Sequence, residues 1–541
     1  MQFDILAKER TVAGPGFNRW LVPPAALAIH LCIGMSYGLS VFWLPLAKTI
    51  GTACPADTSL WSELFVTTCD WKVSSLVWVF TLGIVMLGLS AALFGGWLEH
   101  AGPRKAGAVA AVCWSGGWLI SAYGVTVHQL WMLWLGLGFL GGIGLGLGYI
   151  SPVSTLVKWF PDRRGMATGM AIMGFGGGAM IGSPLAVMLM NQLASAPGKP
   201  AVATTFVILG LGYFLFMMGG AFGYRVPAPD WKPEGWTPPA NNTRAMVTRG
   251  HVHLSVAWKT PQFWLIWMVL AMNVSAGIGI ISMASPMLQE IFAGKLIGLS
   301  IGYNDLTPDQ KKAVALIAGG FTGLLSLFNI VGRFFWASLS DWVGRKNTYY
   351  LFFVLGILLY SSATTLAHTG QLALFVLAFC VILSMYGGGF ATVPAYLADM
   401  FGTQMVGAIH GRLLTAWSTA GVVGPVVVTY IRDTSLAAGV PRDQLYDKTM
   451  IYLVVMLVVG LVCNFLVRPV APQHLMSEAE LAAEKQLAHE KAAEAARELS
   501  GVALAGGRSS PFAAWLAWLA VGIPLIWGVY ITLSKAWVLF R

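Results

Sequence analysis

The chain has 541 residues, of which 57% are hydrophobic and 10% are charged, and its mean hydropathy is +0.70. This composition excludes a water-soluble globular domain, because so large an apolar surface needs a bilayer to solvate it. The formal net charge of +10 does not indicate a nucleic-acid-binding protein, since the basic residues form short clusters between apolar runs rather than one face or tail.

The first apolar run follows a charged stretch that contains Lys8, Glu9, Arg10 and Arg19. It is long enough to cross the hydrocarbon core of a membrane. We therefore expect a retained helix rather than a cleaved signal peptide. Residues 1–17 are predicted to be a cytoplasmic segment that precedes this helix.

Apolar runs of spanning length follow one another along the chain. Six precede a polar, proline-rich loop at 226–260, and six follow it. A thirteenth comes after the stretch 471–510, whose Ala, Glu and Lys content favours a surface helix. The predicted spans are 20–45, 73–97, 105–127, 130–156, 165–192, 202–224, 261–290, 312–338, 347–368, 371–398, 408–431, 447–468 and 511–536. The pattern predicts an all-α membrane protein with six-helix halves at 18–225 and 261–470 and one extra helix within 511–541.

The distribution of Lys and Arg predicts how these helices are oriented. Short cytoplasmic loops carry an excess of both residues. The excess lies on one side, at the N-terminus, Arg104/Lys105, Lys158/Arg163/Arg164, the central loop and Arg345/Lys346. Lys311, Lys312 and Arg442 lie on the other side, beside acidic residues that contribute little to the rule. The N-terminus is therefore predicted to be cytoplasmic.

Two of the six cysteines have a predicted role. Cys54 and Cys69 share the first external loop, which in a bacterium faces an oxidising compartment where disulfides persist. We predict that they are bonded to each other, the alternative being two free thiols. The other four cysteines lie within apolar runs and are interpreted as small buried hydrophobes.

The two halves carry a matching loop at an offset of about 241 residues, the mark of a parallel repeat. Gly95-x-x-x-Glu99-His100-x-Gly102-x-Arg104-Lys105 follows the second run, and residues 338–346, with Asp341, Arg345 and Lys346, follow the eighth. A glycine turn of this kind places a carboxylate and basic residues at a helix end, where they can latch one conformation. The latch candidates are Glu99, Arg104, Lys105, Asp341, Arg345 and Lys346. The alternative is plain turn chemistry.

These loops resemble the signature of the major facilitator superfamily, which implies an MFS fold of 6+6 helices. Further stretches resemble the oxalate/formate antiporter family, relatives of the monocarboxylate transporters: Gly148-Tyr149, 158–165, 260–264, 285–287, Asn329-x-x-Gly332-Arg333 and 386–390. The resemblance covers about residues 18–470. The last thirty residues resemble a single-span small subunit that accompanies some such transporters. A bacterial inner-membrane protein is expected.

Arg333 is the first candidate for a substrate-binding residue. It lies two helical turns inside the eighth run, its guanidinium stays charged in any protein environment, and burying a charge in a membrane is costly. No Asp or Glu lies near mid-depth in the twelve core runs. The counter-ion is therefore predicted to be the cargo, a carboxylate bound bidentately. The alternative is an arginine paired with backbone carbonyls or reaching the interface.

Other side chains are candidates to share this site. Asn329 precedes Arg333 by four residues, so both project from one helix face, although a packing role is equally compatible with the spacing. Tyr149 and Tyr386 occupy similar places in the fourth and tenth runs, and Tyr37 is a weaker candidate; each phenol can donate to a carboxylate or merely pack. His30 is a candidate proton carrier or a satisfied core residue.

Trp417 sets the expected substrate class. At this position the resemblance implies a lysine in family members that carry oxalate, so that two cations face a dianion. One arginine balances one negative charge, and a second buried carboxylate would remain unpaired. We therefore expect a monocarboxylate, such as lactate, pyruvate, glycolate or formate, moved by proton symport or anion exchange.

Several other functions remain as alternatives or are disfavoured. An oxalate/formate exchanger and a non-transporting sensor or assembly platform stay as alternatives. A membrane enzyme is disfavoured, because the core runs supply no acid/base pair and no metal-ligand spacing. No cofactor, metal or nucleic acid is expected, and we expect a monomer whose C-terminal helix packs against the twelve-helix core.

Overall fold

The structure is a computed structural model of the chain, described here except for residues 1–5, 7, 15, 56, 161–163, 195–200, 229–230, 236–247, 249, 403–404, 484–485, 487–489, 491–509 and 541. Its described residues contain thirteen helices that are long and apolar enough to cross a membrane. They form two six-helix halves and one additional helix, the arrangement predicted from the sequence. The second half of the predicted surface helix at 471–510 lies largely outside the described residues.

Ten of the spans are single helices. They are α2 (Val73–Ala101), α3 (Pro103–Thr126), α5 (Arg164–Gln192), α6 (Val202–Gly223), α7 (Pro261–Phe292), α8 (Pro308–Val343), α9 (Arg345–His368), α10 (Leu372–Phe401), α12 (Asp447–Leu466) and α13 (Pro511–Ala536).

The other three spans change geometry along their length. Span α1 consists of the α-helical segments Val22–Ile33 and Trp43–Leu46, joined by the 3₁₀ segment Gly34–Phe42. Span α4 consists of the α-helical segments Leu130–Leu133 and Gly141–Trp159, joined by the π segment Trp134–Leu140. Span α11 consists of two α-helical segments, Val406–Leu413 and Thr415–Ala437. Segments of 3₁₀ and π helix inside a longer helix often mark functional positions. The irregular part of α1 includes Tyr37, one of the predicted site residues.

The repeated loops have the same backbone geometry in both halves. Gly102 ends α2 with φ +83°, and Gly344 ends α8 with φ +92°. Glycine adopts this region without the steric penalty that a Cβ imposes. The two glycines therefore form matching turns between consecutive helices, as the repeated sequence predicts.

Three helix pairs form most of the boundary between the halves: α2 with α11, α5 with α8, and α1 with α7. The face that carries Cys54 and Cys69 is here called the disulfide face. On the side of the boundary toward this face, the Trp43 indole donates to the carbonyl of Ser282 over 2.8 Å. The backbone N–H of Ser74 donates to Asp433 over 3.2 Å. These contacts join the halves between the disulfide face and the centre.

The thirteenth helix lies against both halves. Helix α13 packs on α5 and α8, and more lightly on α1. The buried Thr532 hydroxyl donates to the carbonyl of Met180 in α5 over 3.1 Å. The Trp518 indole donates to the carbonyl of Trp20 over 3.1 Å. Helix α13 thus covers the line along which α5 and α8 meet.

Candidate functional site

Arg333 and Asn329 lie on one face of α8. The helix begins with a capping box in which Thr307 and Gln310 satisfy each other's backbone N–H groups, with Pro308 at its first position. Because helical side chains tilt toward the N-terminus, Arg333 extends back over the preceding turn. Its Nε donates to the Asn329 amide oxygen over 3.0 Å. Arg333 is 3% exposed and Asn329 is fully buried.

Two hydrogen-bond donors in this pair have no acceptor among the described residues. They are Nη1 of Arg333 and Nδ2 of Asn329, and both are buried. Within the described part of the chain, no carboxylate lies within 4 Å of the Arg333 guanidinium. A buried cation without a counter-ion is unfavourable by several kcal/mol. The arrangement therefore favours an anion at this position.

Aromatic rings surround the guanidinium. The Phe390 ring centroid lies 5.8 Å from Cζ of Arg333, within the range of a cation–π contact. Trp417 packs on Phe390 at 4.6 Å between centroids and on Tyr149 at 5.4 Å. The buried Trp417 indole N–H is close to the Tyr386 hydroxyl, and no closer acceptor lies among the described residues. The rings form an apolar wall with one further N–H donor near the cation.

Tyr37 and Tyr386 meet across the boundary between the halves. Their phenol oxygens are 2.6 Å apart, and each side chain is 1% exposed. Tyr37 also packs edge-on against Phe175 of α5, with 4.9 Å between ring centroids. This pair connects α1 directly to α10.

His30 lies next to this cluster in α1 and is fully buried. Its Nε2 is 3.2 Å from the carbonyl oxygen of Tyr149. A carbonyl can only accept, so Nε2 carries the proton in this contact. His30 therefore ties α1 to α4 through a backbone hydrogen bond.

The structure brings together all seven residues that were predicted as substrate-binding or proton-coupling. They come from α1 and α4 in the first half and from α8, α10 and α11 in the second. With two phenylalanines the cluster has nine side chains, each at most 4% exposed, so it is closed to both faces of the protein. We call it the central cluster: His30, Tyr37, Tyr149, Phe175, Asn329, Arg333, Tyr386, Phe390 and Trp417.

A second buried charge cluster was missed by sequence reasoning. Glu290 is fully buried near the end of α7, where Nε of Arg432 donates to it over 2.9 Å, Nη1 of Arg442 over 2.6 Å and the Tyr446 hydroxyl over 2.7 Å. Arg432 also pairs with Asp433 at 2.7 Å. Arg432 lies one residue beyond the predicted end of its span. The predicted span therefore excludes it, and the sequence does not predict its pairing with the buried Glu290.

The latch candidates lie at the face opposite the disulfide. Arg345 is 3.8 Å from Asp399 of α10 and also donates to the Ser340 hydroxyl. Lys346 donates to the carbonyls of Phe465 and Val467 over 3.1 and 2.7 Å. These contacts tie the loop between α8 and α9 to α10 and to the end of α12.

The matching loop of the first half contacts α6. Arg104 is 6% exposed and lies 3.4 Å from the carbonyl oxygens of Phe222 and Tyr224. The neighbouring Lys105 also makes an interaction, so it is not an unpaired charge in this loop. The side chains of the carboxylate candidates Glu99 and Asp341 lie outside the described residues.

Cys54 and Cys69 form a disulfide, with their Cα atoms 4.9 Å apart. The His128 ring donates through Nε2 to the carbonyl of Cys69 over 2.9 Å and stacks on Trp71 at 4.0 Å. These contacts anchor the first loop of the disulfide face to the end of α3. In the described ranges, no group of three His, Cys, Asp or Glu side chains is arranged to hold a metal.

Solved structures share this fold. A bacterial homologue of the human lysosomal transporter Spinster, in an inward-facing and occupied conformation, superposes with a TM-score of 0.57 at 13% identity, covering 86% of this chain and 100% of that chain. A D-xylose–proton symporter superposes with a TM-score of 0.58 at 13% identity, covering 84% and 98%. At this identity the likeness concerns the fold alone.

Curated relatives include organic-anion carriers. The chain is 24% identical over 408 residues to the oxalate:formate antiporter of Oxalobacter formigenes, covering 75% of this chain and 83% of the relative. It is 27% identical over 330 residues to apicoplast pyruvate carrier 1 of Toxoplasma gondii, covering 53% and 57%. It is 30% identical over 181 residues to human monocarboxylate transporter 11, covering 33% and 34%. The resemblance to the oxalate/formate antiporter family and the monocarboxylate transporters is thereby confirmed.

Residues 16–425 match the family model of the Major Facilitator Superfamily. The match spans most of the chain and agrees with the observed two halves of six helices. The chain therefore belongs to the Major Facilitator Superfamily, whose members are membrane transporters.

Proposed function

We propose that this transporter carries small organic monocarboxylates and that Arg333 binds the carboxylate. The observation that carries the proposal is the burial of this guanidinium without a carboxylate partner in the described part of the chain. A transported anion supplies the missing charge only while it is bound. The cation is therefore matched to a cargo that arrives and leaves rather than to a permanent ion pair.

The free donors define how the carboxylate binds. Arginine presents its N–H groups in a planar fork that matches two carboxylate oxygens. Nε of Arg333 is engaged by Asn329, which leaves Nη1 directed elsewhere, and the amide Nδ2 of Asn329 is free as well. A carboxylate that accepts from both donors satisfies two buried polar groups at once. Asn329 thus orients the guanidinium and contributes a donor.

The aromatic wall of the central cluster favours a substrate with a single negative charge. Trp417 packs on Phe390, and Phe390 contacts Arg333, so aromatic rings lie next to the guanidinium. The Trp417 indole also supplies one neutral N–H donor. A second carboxylate of a dianion would face aromatic carbon there. Lactate, pyruvate, glycolate and formate carry one charge and fit this wall. Oxalate/formate exchange is the second candidate, supported by the 24% identity to an oxalate:formate antiporter.

Transport by alternating access is the corresponding mechanism. The central cluster draws its residues from both halves, so rocking the halves about it opens the site to one face at a time. The hydrogen bond between Tyr37 and Tyr386 holds the closed arrangement. We place the N-terminus in the cytoplasm and the disulfide face outside the inner membrane, from the distribution of Lys and Arg. Movement of the anion with a proton and exchange for another anion are both compatible with this site; His30 is the proton-carrier candidate.

Helix α13 is proposed to be an integral part of a monomeric transporter. Its hydrogen bond from Thr532 to Met180 and its packing on both α5 and α8 support this proposal, because α5 and α8 belong to different halves. Thr532→Val removes this hydrogen bond while keeping the shape of the side chain. A lower transport rate with normal binding would support a role in the conformational change, and unchanged kinetics would refute it.

The test of function is uptake of radiolabelled lactate and oxalate into proteoliposomes, with and without an inward proton gradient or internal formate. We expect lactate uptake to exceed oxalate uptake and to be lost in Arg333→Ala. The matched control is Arg412→Ala, because Arg412 is an exposed arginine of the same half. Stimulation by the gradient would identify symport, and stimulation by internal formate would identify exchange. Oxalate uptake above lactate uptake would contradict the proposed substrate class.

A further inference from the structure

A cavity lies toward the disulfide face, between the two halves. Its volume is about 250 Å³, and its wall comes from α1, α5, α7, the start of α8 and the loop before α8. Three lysines line it: Lys48, Lys311 and Lys312. Lys311 is 22 residues before Arg333 on the same helix, a distance of roughly 33 Å along the axis. The cavity is therefore separate from the central cluster.

Cations gather around one aromatic ring at this cavity. Tyr303 is 5% exposed, and its ring centroid is 5.0 Å from Nζ of Lys48 and 5.7 Å from Nζ of Lys311. Cζ of Arg442 is 5.3 Å from the same centroid. One ring quadrupole contributes only a weak attraction to each cation. That contribution is small beside the mutual repulsion of three partly desolvated positive charges.

Two of these cations have no carboxylate at ion-pair distance among the described residues. Arg442 pairs with Glu290, and Lys312 is 3.3 Å from Asp309. No carboxylate of the described chain lies within 4 Å of Lys48 or Lys311. Burial, together with the charges of Lys311 and Arg442, lowers the pKa of the Lys48 ammonium, and the more weakly acting carboxylates of Glu290 and Asp70 oppose this shift only in part. An anion between the two lysines would relieve this repulsion.

Neutral amide side chains line the same space. Asn191 of α5 and Gln289 of α7 both border the cavity, and the buried Asn191 Nδ2 has no acceptor among the described residues. At about 30 Å³ for each water in the liquid, the cavity corresponds to roughly eight waters. That space suffices for a carboxylate of three carbons with its oxygens. The positive charge of the lysines, the amide side chains and the volume of the cavity are therefore all suited to a small organic anion.

We propose that this cavity is a loading site, where the substrate anion binds to Lys48 and Lys311 before it reaches Arg333. The proposal rests on the function proposed above and adds a second binding position to it. A site of this kind raises the local concentration of anion next to the closed central cluster. The loading site captures the substrate anion from solution, whereas Arg333 binds the anion during the conformational change.

Buried polar groups lead from the loading site toward the centre. Gln289 is 4% exposed, and its amide donates to the Ser285 hydroxyl over 3.0 Å. The backbone N–H of Ser285 is 3.5 Å from the hydroxyl of Ser40 across the boundary between the halves. Ser40 lies three residues from Tyr37 on α1. Together these groups provide polar contacts along an otherwise apolar stretch.

The experiment measures KM and kcat for lactate uptake in proteoliposomes made from wild type, Lys48→Gln, Lys311→Gln and the double variant. Lys448→Gln is the control, because it removes one positive charge from an exposed position at the start of α12. We expect the double variant to raise KM roughly tenfold and to flatten its dependence on ionic strength. The kcat value should stay within about twofold, which also shows that the variant folds.

Each outcome bears on the proposal. A KM for the double variant equal to that of Lys448→Gln would overturn the loading site, even if Arg333→Ala abolishes uptake. If Arg333→Ala is as active as wild type, the proposed function fails instead. The assays are repeated in vesicles with and without anionic lipid. An effect of the lysine variants that requires anionic lipid would assign these cations to a lipid headgroup and overturn the proposal.

Discussion

The phenol oxygens of Tyr37 and Tyr386 lie 2.6 Å apart across the boundary between the two halves. Both rings are 1% exposed, so water does not replace this hydrogen bond while the halves stay together. The halves must part here on at least one side when the site opens. The contact therefore belongs to the closed state and should influence how firmly an anion is retained.

A double-mutant cycle measures this contribution. Removing either hydroxyl, in Tyr37→Phe or Tyr386→Phe, should weaken lactate retention by about 1 kcal/mol, roughly fivefold in Kd. The double variant should be no weaker than either single variant, because both remove the same hydrogen bond. Equilibrium binding of radiolabelled lactate gives the three values. Fully additive effects would show that the two hydroxyls act independently.

Trp417→Lys should change the charge preference of the site. The new ammonium would stand beside Phe390, which contacts both Trp417 and Arg333. Two cations can balance a dianion, whereas a monocarboxylate would leave one of them unpaired. We expect oxalate uptake to rise relative to lactate uptake, measured by competition in proteoliposomes. Trp417→Leu removes the ring without adding charge, and a similar gain of oxalate uptake in that variant would contradict the charge argument.

Gly387→Ala should disturb the position of Asn329. A Cβ on Gly387 would lie 2.3 Å from the backbone oxygen of Asn329, which cannot move without shifting α8. Overpacking of this kind costs about 1–3 kcal/mol. We expect a lower Tm in detergent and weaker lactate binding. Gly219→Ala in α6 is the control, since nothing lies within 4 Å of that position; an equal effect there would indicate a general cost of replacing helical glycines.

Glu290→Gln should be strongly destabilising. It leaves the buried Arg432 without its principal counter-charge, and breaking a buried ion pair typically costs about 3–5 kcal/mol. Replacing both partners, in Glu290→Met with Arg432→Met, should recover part of this loss, because the two fully buried charges are removed together, whereas Arg442 and Asp433, which lose a partner, are partly exposed to water. Thermal unfolding in detergent compares the variants. A double variant less stable than Glu290→Gln would contradict this account of the cluster.

The sequence predicts the spans and directs attention to Arg333 and Asn329 through local signals, whereas Trp417 is selected through the family resemblance. Span lengths follow from hydropathy, and the repeated loops carry the same glycine turn, seen in the positive φ of Gly102 and Gly344. Arg333 stands out because a charge in an apolar run is costly wherever it faces. The spacing of Asn329 and Arg333 places them on one helix face without any knowledge of the neighbouring helices.

Long-range contacts could not be predicted in this way. The pairing of Glu290 with Arg432 joins residues 142 positions apart, and each stands near a helix end where a charge usually meets water. The ring of cations around Tyr303 likewise depends on three separate segments coming together. The 3₁₀ geometry around Tyr37 arises within a run whose hydropathy resembles that of any other span.

The most direct test of the central claim is equilibrium binding of radiolabelled lactate to purified protein, comparing wild type, Arg333→Ala, Arg333→Lys and Arg412→Ala. If Arg333 is the counter-charge of the cargo, Arg333→Ala abolishes saturable binding and Arg333→Lys weakens it, because lysine lacks the planar fork. Arg412→Ala should bind as wild type does. Lactate binding by Arg333→Ala with unchanged affinity would contradict the assignment of the site to this arginine.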